Sequence, residues 1–211
     1  VILFPFFSNI SSSFMSPEDL VDVTVRLVPK HPTLETYKAI ILYNDFFKAL
    51  LNTFILSLVC AVLQTFVCCL IAYGFAKFKF KGNKVLFLVV LLTMIVPHQI
   101  LSSSLVARFM YPSILDIIDL TWLCEAFGLT MGFYNTYVPI IFLSLTGLAF
   151  KNGLFIFIMR QFYRGIPDEL EESSYVDGYG VMKTFFKIIL PLSVPMLITV
   201  FILSFSWQWT D

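Results

Sequence analysis

Residues 166–191 read IPDELEESSYVDGYGVMKTFFKIILP and form the longest polar interruption in the second half of a very apolar sequence. Pro167 fits the first position of a helix, because the N–H that proline lacks would have no partner there. Gly178 can end that helix in a left-handed conformation that a residue with a Cβ resists. The stretch therefore predicts a short helix and a glycine turn. A second helix is then expected to start after Gly180 and to run into the apolar residues 188–210.

A short helix on a loop between two membrane spans has a shape suited to docking into another protein. The alternative is an interfacial loop with no such role, and the spacing favours docking. The pattern starts with a glutamate and two small residues. Three residues then separate these from a glycine, and nine more separate the glycine from an apolar segment that ends in proline. The residues of this pattern are Glu172, Ser173, Ser174, Gly178, Ile188, Leu190 and Pro191.

The composition places the chain in a membrane. Hydrophobic residues make up 58% of the sequence and charged residues 13%, and the mean hydropathy is +0.86. Soluble domains carry about 25% charged residues. A formal net charge of zero gives no indication of nucleic-acid binding. Cys60, Cys68 and Cys69 share one apolar segment and Cys124 lies apart, so the cysteines are expected to be small apolar residues rather than disulfide partners or metal ligands.

Four uncharged or nearly uncharged segments are long enough to cross the roughly 30 Å hydrocarbon core. Residues 1–16 are expected to be the tail of a first spanning helix, which would make the chain a fragment, and residues 17–48 an extracytoplasmic loop with one or two short helices. The transmembrane domain is predicted at 49–211, with spans at about 49–76, 85–107, 137–162 and 188–210 and a loop at 163–187. Pro97 predicts a kink in the second span, and TGLAFKNG a bend in the third.

The charges give these spans a direction. Lysines follow the first of the four, and acids follow the second: Lys77, Lys79, Lys81 and Lys84, then Asp116, Asp119 and Glu125. Short basic loops mark the cytoplasmic side of a membrane. Arg160 and Arg164 place the end of the third span, and with it the loop at 163–187, in the cytoplasm.

The pattern in residues 172–191 resembles the EAA signature of ABC-importer permeases, which is Glu-Ala-Ala, three residues, Gly, nine residues, Ile, any residue and Leu-Pro. Ser173 and Ser174 replace the two alanines and keep the side chains small. Further segments resemble the carbohydrate-uptake subgroup, with its sugar and glycerol-3-phosphate permeases: HPTLETY, YGFAKFKFKGNK, LLTMIVPHQI, GLFIFIMRQFYRGIPDELEESSYVDG and ILPLSVPMLITVFILSFSWQWTD. The resemblance covers nearly the whole chain and identifies it as an inner-membrane permease of binding-protein-dependent importers.

The resemblance implies an all-α, polytopic membrane protein with the type I ABC importer permease fold, here part of a six-helix subunit. It implies a multi-pass protein of a bacterial or archaeal plasma membrane that carries a solute, is not itself an enzyme and needs no cofactor. The implied partners are a second permease subunit, ABC ATPase subunits, an extracytoplasmic solute-binding protein, the lipid bilayer and a sugar. The sequence itself contains no GxxxxGKS or GxxxxGKT phosphate loop. The residues expected to couple to the ATPase are Glu172, Ser173, Ser174, Asp177, Gly178, Leu190 and Pro191.

Three other functions stay open at this point. The first is import of another solute, such as a polyamine, phosphate or an amino acid. The second is a channel or a membrane scaffold, and the third a membrane enzyme that would draw on His98, Glu125 and the serines at 102–104. Lys151 and His98 are the candidates for the solute path, because ionisable groups at membrane depth are often functional. Lys151 could equally snorkel or pair at a helix kink, and His98 could satisfy carbonyls freed by Pro97.

Overall fold

The computed structural model describes residues 3–24, 27–43, 45–96, 98–110, 113–114, 118–119, 133, 136–149 and 151–210. Two compact units, Val1–Phe54 and Ile55–Asp211, divide the chain. A long helix begins in the first unit and ends in the second. The candidate functional groups lie in the second unit.

The described residues of the first unit form three short helices, α1 (Phe4–Ser13), α2 (Pro17–Val21) and α3 (Glu35–Tyr43). The side chain of Ser16 accepts a hydrogen bond from the Asp19 N–H at 3.2 Å and so caps α2. The buried Asp19 carboxylate accepts the backbone N–H of His31 at 2.8 Å, and this bond holds the pKa of Asp19 below its usual value. Among the described residues of the range 17–48, α2 and α3 are short helices, and the sequence predicts one or two there.

Helix α4 (Phe46–Lys77) has 32 residues and contains the predicted span 49–76. At 1.5 Å per residue it is about 48 Å long, well above the membrane core thickness. Among the described residues, it is the one helix that is long and apolar enough to cross a membrane by itself. Small and polar residues form its buried stripe: Ser57, Cys60, Ala61, Gln64, Thr65, Cys68, Cys69, Ala72 and, at the end, Tyr73. Small side chains on one face let other helices approach closely.

The predicted span 85–107 corresponds to two helices, α5 (Asn83–Ile95) and α6 (His98–Met110). Val96 between them has an extended ψ of 120°. The residue before a proline is pushed out of the helical region by a clash with the proline ring, which explains why the break falls just before Pro97. Strands β1 (Ser113–Ile114) and β2 (Ile118–Asp119) then pair antiparallel, with Ser113 opposite Asp119. Asp116, Cys124 and Glu125 lie outside the described residues.

The predicted span 137–162 also consists of two helices, α7 (Val138–Thr146) and α8 (Asn152–Arg164). The chain turns between them through two left-handed residues, Gly147 with φ +76° and Lys151 with φ +69°. This break lies in the TGLAFKNG segment, where the sequence predicts a bend.

The sequence predicts one continuous helix after Gly180, but the chain there forms several helical segments with a bend between them. Helix α9 (Glu169–Val176) precedes α10 (Val181–Thr184), a π-helical turn at Phe185–Ile189, α11 (Leu190–Leu192) and α12 (Val194–Thr210). The Val181–Leu192 segment meets α12 at an angle of 77°.

Two prolines account for this bend. Pro191 and Pro195 cannot donate to the carbonyls four residues earlier, and their rings crowd those carbonyls. The Leu190 N–H bonds instead to the Phe185 carbonyl, which gives the π-helical turn. The Ser193 hydroxyl donates to the Ile189 carbonyl at 2.8 Å and thus supports the corner. Only residues 194–210 of the predicted span 188–210 belong to the final helix.

The core of the second unit lies where α4, α8, the π-helical turn and α12 meet. Its largest buried side chains come from different elements and include Cys69, Phe155, Met159, Tyr163, Phe185, Ile189 and Val200. Cys60, Cys68 and Cys69 are free and buried, as their apolar context predicts. Helix α5 packs against α8.

Candidate functional site

Helix α9 and the glycine turn after it form the site that the sequence pattern singles out. The helix begins two residues later than predicted, at Glu169, because Asp168 is its N-cap and Pro167 precedes that cap. Acidic residues occupy the first turn, where the helix dipole stabilises them. Gly178 has φ +78°, which confirms the predicted left-handed turn. The Tyr179 N–H then donates to the Ser174 carbonyl at 3.0 Å and closes the helix end.

The outer face of α9 is open to solvent. Glu172, Ser173, Asp177 and Gly178 are exposed, and Val176 is 88% exposed. An exposed valine beside acidic and small residues gives a surface with both apolar and charged contacts to offer. Four of the residues predicted to couple to an ATPase therefore lie together at this face and its adjoining turn.

The inner face of α9 is held by the rest of the unit. Ser174 is buried, and its hydroxyl is hydrogen-bonded to that of Thr184, so α9 is tied to α10. Leu190 and Pro191, which close the sequence pattern, are the first two residues of α11, just before the corner, and do not lie on α9. The predicted set is thus divided among an exposed surface of α9 and its turn, one buried serine and the start of α11.

Glu171, which the sequence pattern does not single out, lies on the same inner face. Its side chain is 9% exposed, and Lys77 Nζ at the end of α4 approaches one carboxylate oxygen to 3.3 Å. The Tyr73 hydroxyl donates to the other oxygen at 3.2 Å. The three-residue spacing of Glu171 and Ser174, which places both on one helix face, is the sequence signal that could have shown which of the two adjacent glutamates faces inward.

Lys77 makes further contacts with the start of the loop. Its ammonium donates to the Ile166 carbonyl at 2.7 Å and to Asp168 Oδ1 at 2.6 Å. The hydrogen bond from Lys77 and its positive charge hold the pKa of Asp168 below its usual value. Asp168 is 81% exposed, whereas the Lys77 side chain is only 6% exposed. The sequence uses Lys77 only as an indicator of the cytoplasmic side of the membrane and does not predict its contacts with the loop.

Arg160 on α8, like Lys77, contacts residues of other helices near the loop. Its Nε donates to the Phe75 carbonyl at 3.3 Å, and its guanidinium lies 3.8 Å from the centroid of the Phe87 ring. A cation over an aromatic face is attracted by the ring quadrupole. The arginine therefore joins the ends of α4, α5 and α8 near the base of the loop.

A mostly apolar cavity of about 600 Å³ lies among α5, α6, α7, α8 and α12. Lys151 lines it, with its Nζ 3.4 Å from the centroid of the Trp207 ring. Arg108, Ser104 and Thr93 are the other polar residues among those that line it. His98 is the first residue of α6, and its side chain is outside what the structure describes. Lys151 is thus at a cavity, as a solute-path residue would be.

Within the described ranges, no group of three or more His, Cys, Asp and Glu side chains is placed to hold a metal ion. The chemistry that the cavity walls offer is apolar contact, hydroxyl hydrogen bonds and positive charge.

Comparison with known proteins identifies the type of molecule. Residues 65–211 match the family described as binding-protein-dependent transport system inner membrane component. The chain belongs to this family. The matched part contains α9, the glycine turn and the Lys77 contacts.

Several proteins with similar sequences carry the names of transport proteins. The inner membrane ABC transporter permease protein YcjP of Escherichia coli K12 is 27% identical over 216 residues, which cover 100% of this chain and 68% of YcjP. The galactooligosaccharides transport system permease protein GanQ of Bacillus subtilis 168 is 31% identical over 206 residues, which cover 93% of this chain and 62% of GanQ. The chain thus spans about two thirds of the length of these relatives.

A solved structure shares the fold. It is the crystal structure of a bacterial ABC transporter involved in the import of the acidic polysaccharide alginate. The match has a TM-score of 0.67 at 18% identity and covers 100% of this chain and 66% of the solved one. The all-α permease fold that the sequence predicts is confirmed by this likeness and by the family match.

Proposed function

We propose that the chain is a permease subunit that forms part of the path for a carbohydrate through a bacterial or archaeal plasma membrane. In this proposal the loop at 163–187 couples that path to ATP hydrolysis by a separate subunit. The observation that carries it is the exposed face of α9, whose inner side is anchored to α4 and α10. A helix that is both open to a partner and tied to a spanning helix can pass on the partner's movement.

The remaining surface supports an assembly in a bilayer. Large apolar side chains are exposed along α4 and α5, among them Val62, Phe66, Leu88 and Ile95. Contiguous apolar surface of this kind marks an interaction site or a membrane-facing surface. In the proposal, lipid and a second permease subunit cover it, ATPase subunits bind at α9, and an extracytoplasmic binding protein delivers the solute.

A saccharide is the favoured solute because the names of several relatives specify one. Besides galactooligosaccharides, these names specify alpha-glucoside transport for AglG of Rhizobium meliloti and trehalose transport for SugB of Mycobacterium tuberculosis. The cavity at Lys151 has hydroxyl and cationic groups that could hydrogen-bond to sugar hydroxyls. The competing solutes are a polyamine, phosphate or an amino acid.

The solute is tested by uptake in cells that lack this subunit. The panel contains labelled oligosaccharides together with a polyamine, phosphate and an amino acid, and the full-length subunit is restored on a plasmid. Saccharide uptake that depends on the subunit supports the proposal. Uptake of only a non-saccharide solute contradicts the carbohydrate assignment, and a subunit that retains no ATPase on purification would indicate a channel or a scaffold.

The coupling role is tested at the turn and on the exposed face. Gly178→Val places a β-branched residue at φ +78°, where the backbone strain is about 1–3 kcal/mol, and so re-aims α9. Glu172→Lys reverses an exposed charge on the outer face of α9. Both variants should insert into the membrane, retain less ATPase and couple hydrolysis poorly to uptake.

The chain offers a matched control two residues away. Gly180 is exposed with φ −81°, and a Cβ there would meet nothing within 4 Å, so Gly180→Val adds the same side chain without the left-handed strain. It should behave as wild type. Wild-type ATPase retention and uptake in both Gly178→Val and Glu172→Lys would show that this loop is not the coupling element.

A further inference from the structure

The buried contact between Lys77 and Glu171 joins two segments that are far apart in the sequence. Lys77 is the last residue of α4, and Glu171 lies on the inner face of α9. The side chains are 6% and 9% exposed. Water therefore offers little solvation to either charge, and each charge depends on the other and on nearby hydrogen bonds.

Several contacts together fix the orientation of α9 relative to α4 as well as the distance between them. The Lys77 ammonium has three N–H groups, and its acceptors or ion-pair partners are the Ile166 carbonyl, Asp168 and Glu171. All three belong to the loop entry or to the first turns of α9. Tyr73, one helical turn before Lys77, holds the second oxygen of Glu171. Two residues on one face of the α4 end, Tyr73 and Lys77, thus bind the beginning of α9.

We propose that Tyr73, Lys77 and Glu171 form a clamp that transmits displacement of α9 to α4. The clamp consists of positioning residues, and it rests on the proposed role of α9 as the helix that meets the ATPase. The outer face of α9, with Glu172 and Val176, is the part that binds. The clamp acts from the inner face and determines whether the movement of a bound ATPase reaches the spanning helix.

Because the two faces of α9 have different roles, substitutions on them should have different effects. Loss of the outer face weakens ATPase binding. Loss of the clamp leaves the outer face intact, so the ATPase stays bound and hydrolyses ATP, but α4 no longer follows α9. The quantity that reports the clamp is therefore the amount of solute imported per ATP hydrolysed, measured in complexes that retain their ATPase.

The test uses the complete transporter in proteoliposomes, with the saccharide found in the uptake panel. Glu171→Gln and Lys77→Met should retain ATPase at the wild-type ratio and import about tenfold less solute per ATP, in the range of typical coupling effects. Lys77→Arg, which keeps the charge and the donors, should restore most of the coupling. Lys81→Met removes a charge from the exposed loop nearby and should leave the ratio unchanged.

A double variant separates a clamp from a simple stabilising contact. Replacing a buried ion pair by apolar residues often preserves or raises stability, so Lys77→Met combined with Glu171→Met should fold and assemble. If directional bonds transmit the movement, this variant stays uncoupled despite normal thermal stability. Normal import per ATP in the double variant, or in both single variants, overturns the clamp. A wild-type complex that binds ATPase but imports no solute overturns the proposed function itself and with it the clamp.

Discussion

A close contact between two helices of the second unit gives a prediction whose size can be estimated from the distances. Gly153 on α8 faces α5, and a Cβ at this position would lie 2.5 Å from Thr93 Oγ1, 2.8 Å from the Val90 carbonyl oxygen and 3.0 Å from Met94 Cγ. The Thr93 hydroxyl could rotate away, although it would lose its 2.6 Å hydrogen bond to Val90. The Val90 carbonyl belongs to the helix backbone and cannot move alone. Gly153→Ala must therefore push α5 and α8 apart.

The expected cost follows from two opposing contributions. Overpacking of a close contact costs about 1–3 kcal/mol. Alanine recovers at most about 1 kcal/mol relative to glycine through its higher helix propensity. With the full propensity gain, the free energy of unfolding should therefore fall by up to about 2 kcal/mol. For a chain of this size each kcal/mol corresponds to a decrease in Tm of roughly 2–4 °C.

The buried cysteines supply the assay and another glycine supplies the control. Cys60, Cys68 and Cys69 are free and buried, so a thiol-reactive dye reports thermal unfolding in detergent. Gly74 lies within α4, and a Cβ there would meet nothing within 4 Å. Gly74→Ala should keep or raise Tm, while Gly153→Ala lowers it. Equal Tm values for the two variants would refute the packing argument.

Two further predictions concern topology and the solute path. In a cysteine-free variant, Asn83→Cys and Gly165→Cys should react with a membrane-impermeant thiol reagent only from the cytoplasmic side and Asp119→Cys only from outside, and reversed labelling at residue 83 would contradict the topology. Lys151→Met should reduce solute uptake with assembly and basal ATPase activity intact, because it removes the ammonium that lies over Trp207 at the cavity. Lys151→Arg keeps the charge and should retain most of the uptake, and unchanged uptake in Lys151→Met would show that the lysine has only a structural role.

Local rules in the sequence account for the breaks in the helices. The residue before Pro97 leaves the helical region for steric reasons, and the turn at Gly178 needs the freedom of glycine. The TGLAFKNG segment predicts its bend in the same way, although it does not predict the left-handed conformation of Lys151. These features depend on neighbouring residues and are visible in one segment of sequence.

Contacts between distant segments account for what the sequence did not reveal. Glu171 shares a helix face with Ser174, but no local rule shows that Tyr73 on α4 is the partner that its carboxylate meets. The 77° corner at Ser193 also went unpredicted. Pro191 and Pro195 account for a bend at this position, but local residues alone do not set its angle.

The exposed valine on α9 has a consequence for the life of the protein in the cell. With Val176 88% exposed and Met182 60% exposed, an unassembled subunit presents apolar side chains on a water-facing loop. Chaperones and quality-control proteases recognise such side chains, whereas a bound partner would hide them. If the loop binds an ATPase subunit as proposed, synthesis in proportion to that subunit would protect this chain from degradation, and overproduction of the chain alone would shorten its half-life.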